Sequence, residues 1–170
     1  MEHFNGNETL ANIAIFNQIE STKQIFCKQS FVHYSGEIYQ NFGPSLNLIA
    51  HNPKDLSDLN LLKEYDIDEL EKFLFNNQFV KTLMDKFSSV GFFTIKKVKA
   101  KNGTEYDGFS FGTACSSRNL YGISFVNCAI DSMNGCNVTI HETGHQWEAQ
   151  HTNKTYNNLM QKTKNNLVCI

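Results

Sequence analysis

No apolar run in this 170-residue chain approaches the ~20 residues that a membrane-crossing helix needs, so no membrane span is expected. Proline is scarce, at two residues, and neither repeats nor low-complexity linkers occur. That argues against a solenoid or a string of tethered modules and for one domain of ordinary size. A dominant charge is also missing: the formal net charge is -2 and the sequence pI is ≈ 6.3. With no basic stripe a nucleic-acid partner is not expected, and with no acidic block an acidic tail is not either. The opening Met1-Glu2-His3-Phe4-Asn5-Gly6 has neither the basic nor the apolar region of a signal peptide. Either the protein is not exported by that route or this is a piece of a longer chain.

Cysteine is present but without metal-site spacing. Cys27, Cys115, Cys128, Cys136 and Cys169 form no CxxC pair. A reducing compartment leaves five free thiols; an oxidising one gives two bridges and one spare. Asn7, Asn102, Asn137 and Asn153 each open an N-x-S/T sequon, which carries weight only where secretion is shown.

What stands out instead is His141-Glu142-Thr143-Gly144-His145, followed by His151. Two histidines four apart lie about 40° apart around an α-helix and ~6 Å apart along it, so both imidazoles face one point. That spacing suits two ligands of one tetrahedral Zn²⁺. Glu142 sits about 100° round from His141, poorly placed to share the metal but able to reach a water bound to it. Two neutral nitrogen ligands and a carboxylate base are the minimum kit for metal-assisted hydrolysis. With this His and Glu content the pattern arises by chance in about one chain in a hundred, and with His151 added in about one in two thousand.

His151 would lie roughly 240° round from His145 and ~9 Å further along in a continuing helix, pointing away. It can join the site only if the helix stops soon after His145 and the chain turns back. The other downstream donors are poor: beyond Glu142 the one acidic residue is Glu148, and no Asp follows Asp131. Three histidines and an open fourth position make a catalytic rather than a structural zinc site.

His141 to His151 resembles the HExxHxxGxxH zinc signature of metzincin metalloproteases, and Leu159-Met160 resembles their Met-turn, in which the Met lies beneath the zinc. The family's helix-ending Gly is Glu148 here, so a non-Gly residue must take a left-handed conformation at a cost of roughly 1–2 kcal/mol. The run Asp107 to Cys115, followed by Tyr121 to Phe125, is similar to the reprolysin/ADAM branch, in which an edge strand ends at a Cys and leads into the next strand. That resemblance implies a Cys115–Cys169 bridge, a substrate lying extended along the edge strand at 107–113, and an extracellular or secretory-pathway location. Cys128 and Cys136 bracket a loop that a local bridge would close, leaving Cys27 as a buried hydrophobe. Thr152 follows the third His, where reprolysins usually have Asp and pappalysins also have Thr; the Cys115 region favours the reprolysin side.

Elsewhere the pattern predicts an amphipathic helix over 9–28, with Leu10, Ile13 and Phe16 on its apolar side, and a bent strand or hairpin arm over 31–40. Gly43-Pro44 reads as a turn, and His33 and His51 as surface or strand histidines. Asp66-Ile67-Asp68-Glu69 is a capping-box start for a helical stripe from Leu70 to Phe87, interrupted at Asn76-Asn77 and stopped near Gly91. Residues 92–99 read as an edge or half-exposed strand with a charged face. Asn102-Gly103 is a turn, and 106–113 and 120–127 are apolar strands separated by the polar loop 116–119. Residues 128–136 are expected as a loop, with the zinc helix starting near Asn137. Trp147 is expected behind that helix, and Tyr156 in an exposed loop.

The fold class expected is an α/β (α+β) zincin: a small twisted mixed sheet, two long helices, the zinc helix, and a short C-terminal piece with the Met-turn. Residues 1–170 would form one metzincin-like catalytic domain, short at both ends relative to the family. The activity implied is zinc-dependent endopeptidase action on a peptide or protein substrate. Zinc held by His141, His145 and His151 activates water, Glu142 is the general base, and Met160 underlies the metal. Two other readings follow from the same residues. One is a weakly active or silent relative kept as a binding module; the other is an intracellular domain with a structural metal site.

Overall fold

The computed structural model describes residues 7–28, 31–32, 38–39, 64–94, 96–124 and 133–151. The chain divides into two compact units, His3–Ala50 and His51–Ile170.

In the first unit the expected helix forms as α1, Glu8–Lys28, and Asn7 accepts a 3.1 Å hydrogen bond from the Leu10 amide at its start. Its faces differ from the expectation. Ala14, Gln18 and Thr22 are the buried line, while Leu10, Ile13 and Phe16 are each about half exposed. Apolar residues occur on most sides of this helix, Ile15 and Ile19 included, so periodicity did not single out one face. Residues 31–40 hold an antiparallel pair, β1 (Phe31–Val32) and β2 (Ile38–Tyr39), with Phe31 opposite Tyr39. Gly43-Pro44, His33 and His51 lie outside the described residues.

The second unit starts with β3 (Glu64–Asp66), which runs directly into α2 (Ile67–Asn76). Asp66 caps that helix, its carboxylate accepting from the Asp68 and Glu69 amides as the capping signature predicted. The interruption at Asn77 is also present. Asn77 is extended (φ -72°, ψ 122°) and caps the next helix, α3 (Gln78–Lys86), accepting from the Phe79 amide at 3.0 Å and the Val80 amide at 3.1 Å. Asn77→Ala removes both bonds and is expected to cost about 1 kcal/mol, read as a lower urea midpoint at unchanged m-value.

Two expectations about the following segment are corrected. Gly91 does not stop a helix; α3 ends at Lys86, and Gly91 lies inside β4 (Val90–Thr94), where a Cβ would press on the Tyr121 ring. Residues 92–99 are not one strand either. They divide between β4 and β5 (Lys97–Lys99), which belong to different sheets. β5 is the central strand of the order β3-β5-β6, with β6 at Glu105–Tyr106. Its charged face is neutralised from both sides, Lys99 pairing with Glu64 at 2.7 Å and Lys97 with Glu105 at 3.1 Å, while Val98 is fully buried. Alternating charge therefore marked a half-exposed strand, as expected, with its partners across the sheet rather than at an edge.

The other three-stranded sheet has the order β4-β8-β7, with β7 at Gly108–Ser110 and β8 at Leu120–Ser124. β8 is parallel to β4 (Val90 opposite Leu120) and antiparallel to β7 (Ser110 opposite Tyr121). Central position and burial on both faces explain its apolar run. Leu70, Leu74, Val80, Met84, Val98, Phe109 and Leu120 form the core. Buried Asn119 ties the two layers, donating to the Met84 and Phe87 carbonyls at the end of α3. The last element, α4 (Met133–Gln146), packs on β7 and β8. It starts four residues before Asn137, so 133–136 are helix and not loop.

Candidate metal centre

α4 buries Thr139, Ile140, Thr143 and Gln146, which share one side over about two turns, against the sheet. Three of the four are polar and each is satisfied. Thr143 donates to the Thr139 carbonyl at 2.7 Å, and Tyr121 bonds the Thr143 side chain from β8. Burial pushes the Tyr121 phenol up to about 12, the bond to Thr143 opposing part of that rise. The Gln146 amide donates to Ser110 Oγ at 2.6 Å and to the Gly112 carbonyl at 2.9 Å, and accepts from Ser89 Oγ at 3.0 Å. This face fixes the helix, leaving the next residues round to the open side.

The helix then ends as His151 requires. The Ala149 amide bonds the Gly144 carbonyl and the Glu148 amide bonds the His145 carbonyl, each at 3.0 Å. These are the two bonds of a Schellman turn, with Glu148 at the left-handed position (φ 64°). The same turn brings the Ala149 carbonyl 2.8 Å from Nδ1 of His145. A carbonyl only accepts, so Nδ1 carries the proton and Nε2 of the neutral ring presents its lone pair.

Nε2 of His141, His145 and His151 stand 3.1 Å from one another on all three sides. His141 and His145 are nearly perpendicular (88°), as are His145 and His151 (81°). Three imidazole nitrogens that converge in this way could hold one metal ion. His141, His145 and His151 would hold such an ion through Nε2, and it would supply Lewis acidity there. The donor set, three imidazoles and no thiolate, suits zinc among the borderline metals. Among the described residues this is the one group of three or more candidate ligands whose donor atoms converge.

Glu142 lies on the α4 flank facing β7 and is 6% exposed. Burial pushes its carboxyl up to about 8, and among the described residues no cationic side chain offsets that. A dication beside it would.

The four principal residues named from the motif are thus on one helix and its terminal turn, with the three ring nitrogens together. Met160, Tyr156, Thr152, Cys128 and Cys169 lie outside the described residues. Trp147 does not pack behind the helix; it is the residue before the left-handed turn and is 46% exposed. Cys115 is a free, exposed thiol, so the expected bridge to Cys169 is not formed here. Its backbone is left-handed (φ 62°) in the tight 113–118 turn, its amide held by the Ser88 carbonyl. Motif reasoning passed over Gln146 and Gly108. The available signal for Gln146 was its seven-residue spacing from Thr139, which puts a large polar group on the inward side of the helix.

A left-handed Glu costs roughly 1–2 kcal/mol, and glycine's extra freedom in the unfolded chain returns about half of any gain. Glu148→Gly is therefore expected to stabilise the protein by about 0.5–1 kcal/mol, read as a higher Tm. Unchanged or lower stability would mean that the Glu side chain contributes something at the turn. No family model, curated protein or solved structure matches this chain.

Proposed function

We propose that His141, His145 and His151 hold one zinc ion and that the chain is a zinc-dependent endopeptidase of the metzincin-like zincin type, with Glu142 as general base. The observation that carries this reading is the convergence of three Nε2 atoms at 3.1 Å. Bound there, zinc supplies Lewis acidity, bringing the pKa of a water toward neutrality and offsetting charge that develops on a carbonyl oxygen.

The chain's own residues do the rest. Glu142 takes the proton of the attacking water and passes it to the departing amine. Its buried setting holds the carboxylate on one side of the site and out of bulk water. The Ala149 carbonyl keeps His145 in the tautomer that offers Nε2. β7, at the edge of its sheet among the described strands and packed beside α4, offers unpaired main-chain groups to an extended peptide.

Metal analysis of the purified chain, paired with a peptide-library digest with and without chelator, tests this reading. One zinc per chain and chelator-sensitive cleavage are expected. Zinc without cleavage would leave a silent binding module. No bound zinc would remove the reading altogether.

A further inference from the structure

Gly108 opens β7 directly beneath α4. A Cβ there would stand 2.6 Å from Val138 Cγ1, 2.7 Å from Glu142 Cγ and 2.8 Å from Glu142 Oε1, all well inside van der Waals contact. Gly108 is not among the residues with positive φ, so its backbone suits any amino acid. Glycine is needed at this position for room and not for conformation. Val138 and Glu142 are one turn apart on α4 and straddle the bare α-carbon.

We infer that Gly108 is a positioning residue: its missing side chain sets where the Glu142 carboxylate stands, and any side chain at 108 displaces it. The alternatives to that displacement are narrow. β7 is held by its pairing with β8, Gly108 opposite Ile123, and by the Ser124 amide on the Asp107 carbonyl at 2.8 Å. α4 is held by buried Ile140 and by the Gln146 network. Val138 is β-branched, with one strongly preferred helical rotamer. The Glu142 side chain, with three rotatable bonds, yields most readily, and the approach to Val138 Cγ1 asks for a further small shift between strand and helix. The three nearest atoms to a Cβ at 108 belong to Val138 and Glu142 and none to a histidine. The strand edge and the base are thereby in direct contact, and the glycine sets their spacing.

The inference rests on the hydrolytic reading and is tested on the zinc-loaded chain with Gly108→Ala and Gly108→Ser. Both are expected to retain one zinc and an unchanged KM while kcat falls roughly 10- to 100-fold, the scale of a misplaced catalytic group. A second readout needs no activity. The Tm loss caused by Gly108→Ala is expected to shrink measurably in a Glu142→Ala background, because two of the three closest approaches have gone while that to Val138 stays. Equal Tm losses in the two backgrounds, or an active wild type whose Gly108→Ala variant keeps its kcat, would overturn the inference and leave the hydrolytic reading standing. A wild type that binds zinc and cleaves nothing would overturn both.

Discussion

Glutamine at position 142 is expected to lower kcat for peptide hydrolysis by roughly 10²–10⁴-fold while one zinc per chain is retained. The amide has the size and shape of the carboxylate but accepts no proton at neutral pH, so the variant keeps the packing over Gly108 and loses the base. The three imidazoles do not depend on it, since His145 is oriented by the Ala149 carbonyl and the turn by its own backbone bonds. Loss of zinc together with activity would make Glu142 a support for the ligands instead. Stability should move the other way in the metal-free protein. The folded-state pKa is raised from 4.5 to about 8, so between those values the folded chain binds the proton that the unfolded chain has released. Stability from this group is full below pH 4.5 and is lost as pH rises through about 8. Glutamine does not ionise and removes that loss. The Tm of the variant relative to wild type should therefore climb with pH, and zinc should flatten the difference.

The motif was readable from sequence because its geometry is local. Four residues of helix fix the relation of His141 to His145 without reference to the rest of the chain. His151 was readable only by elimination, and the structure supplies the missing step, a Schellman turn that accepts Glu148 where glycine is usual. Caps at Asp66 and Asn77 were equally local, each written in the residues that make it. The strand assignments failed where the answer lay in distant partners. Lys97 and Lys99 look solvent-facing until Glu64 and Glu105 arrive from neighbouring strands. Gly91 looks like a helix stop until Tyr121 packs across it. The helix α4 gave little periodic signal for a related reason: its inward side is Ile140 with Thr139, Thr143 and Gln146, and hydrophobic periodicity is silent about a buried face made mostly of polar groups.

That polar face makes Gln146 the residue whose loss should hurt the fold most for the least change in volume. Gln146→Leu is expected to cost roughly 1–3 kcal/mol in urea unfolding. Leucine fills similar space, so the loss is one of hydrogen bonds. Ser110 Oγ, bonded at 2.6 Å, and Ser89 Oγ, bonded at 3.0 Å, both lose a partner. The Gly112 carbonyl keeps only the Ser110 hydroxyl at 3.2 Å. Ser89 Oγ loses its partner and Ser110 Oγ its donor in a part-buried setting, each at about 1 kcal/mol. Gln146→Glu should be worse, because a carboxylate oxygen would then face the Gly112 carbonyl, acceptor against acceptor. The effect should also reach the metal. Gln146 is the last helical residue before the turn, and its own carbonyl accepts the Ala114 amide at 2.7 Å, so it anchors the segment from which His151 returns. Loosening that anchor lets the turn sample other conformations, and zinc must then order it on binding. Weaker zinc binding in competition with a chelating dye, in step with the lost stability, is the expected pattern. A Gln146→Leu variant within about 0.5 kcal/mol of wild type would show that the network is ornamental and that the turn holds His151 unaided.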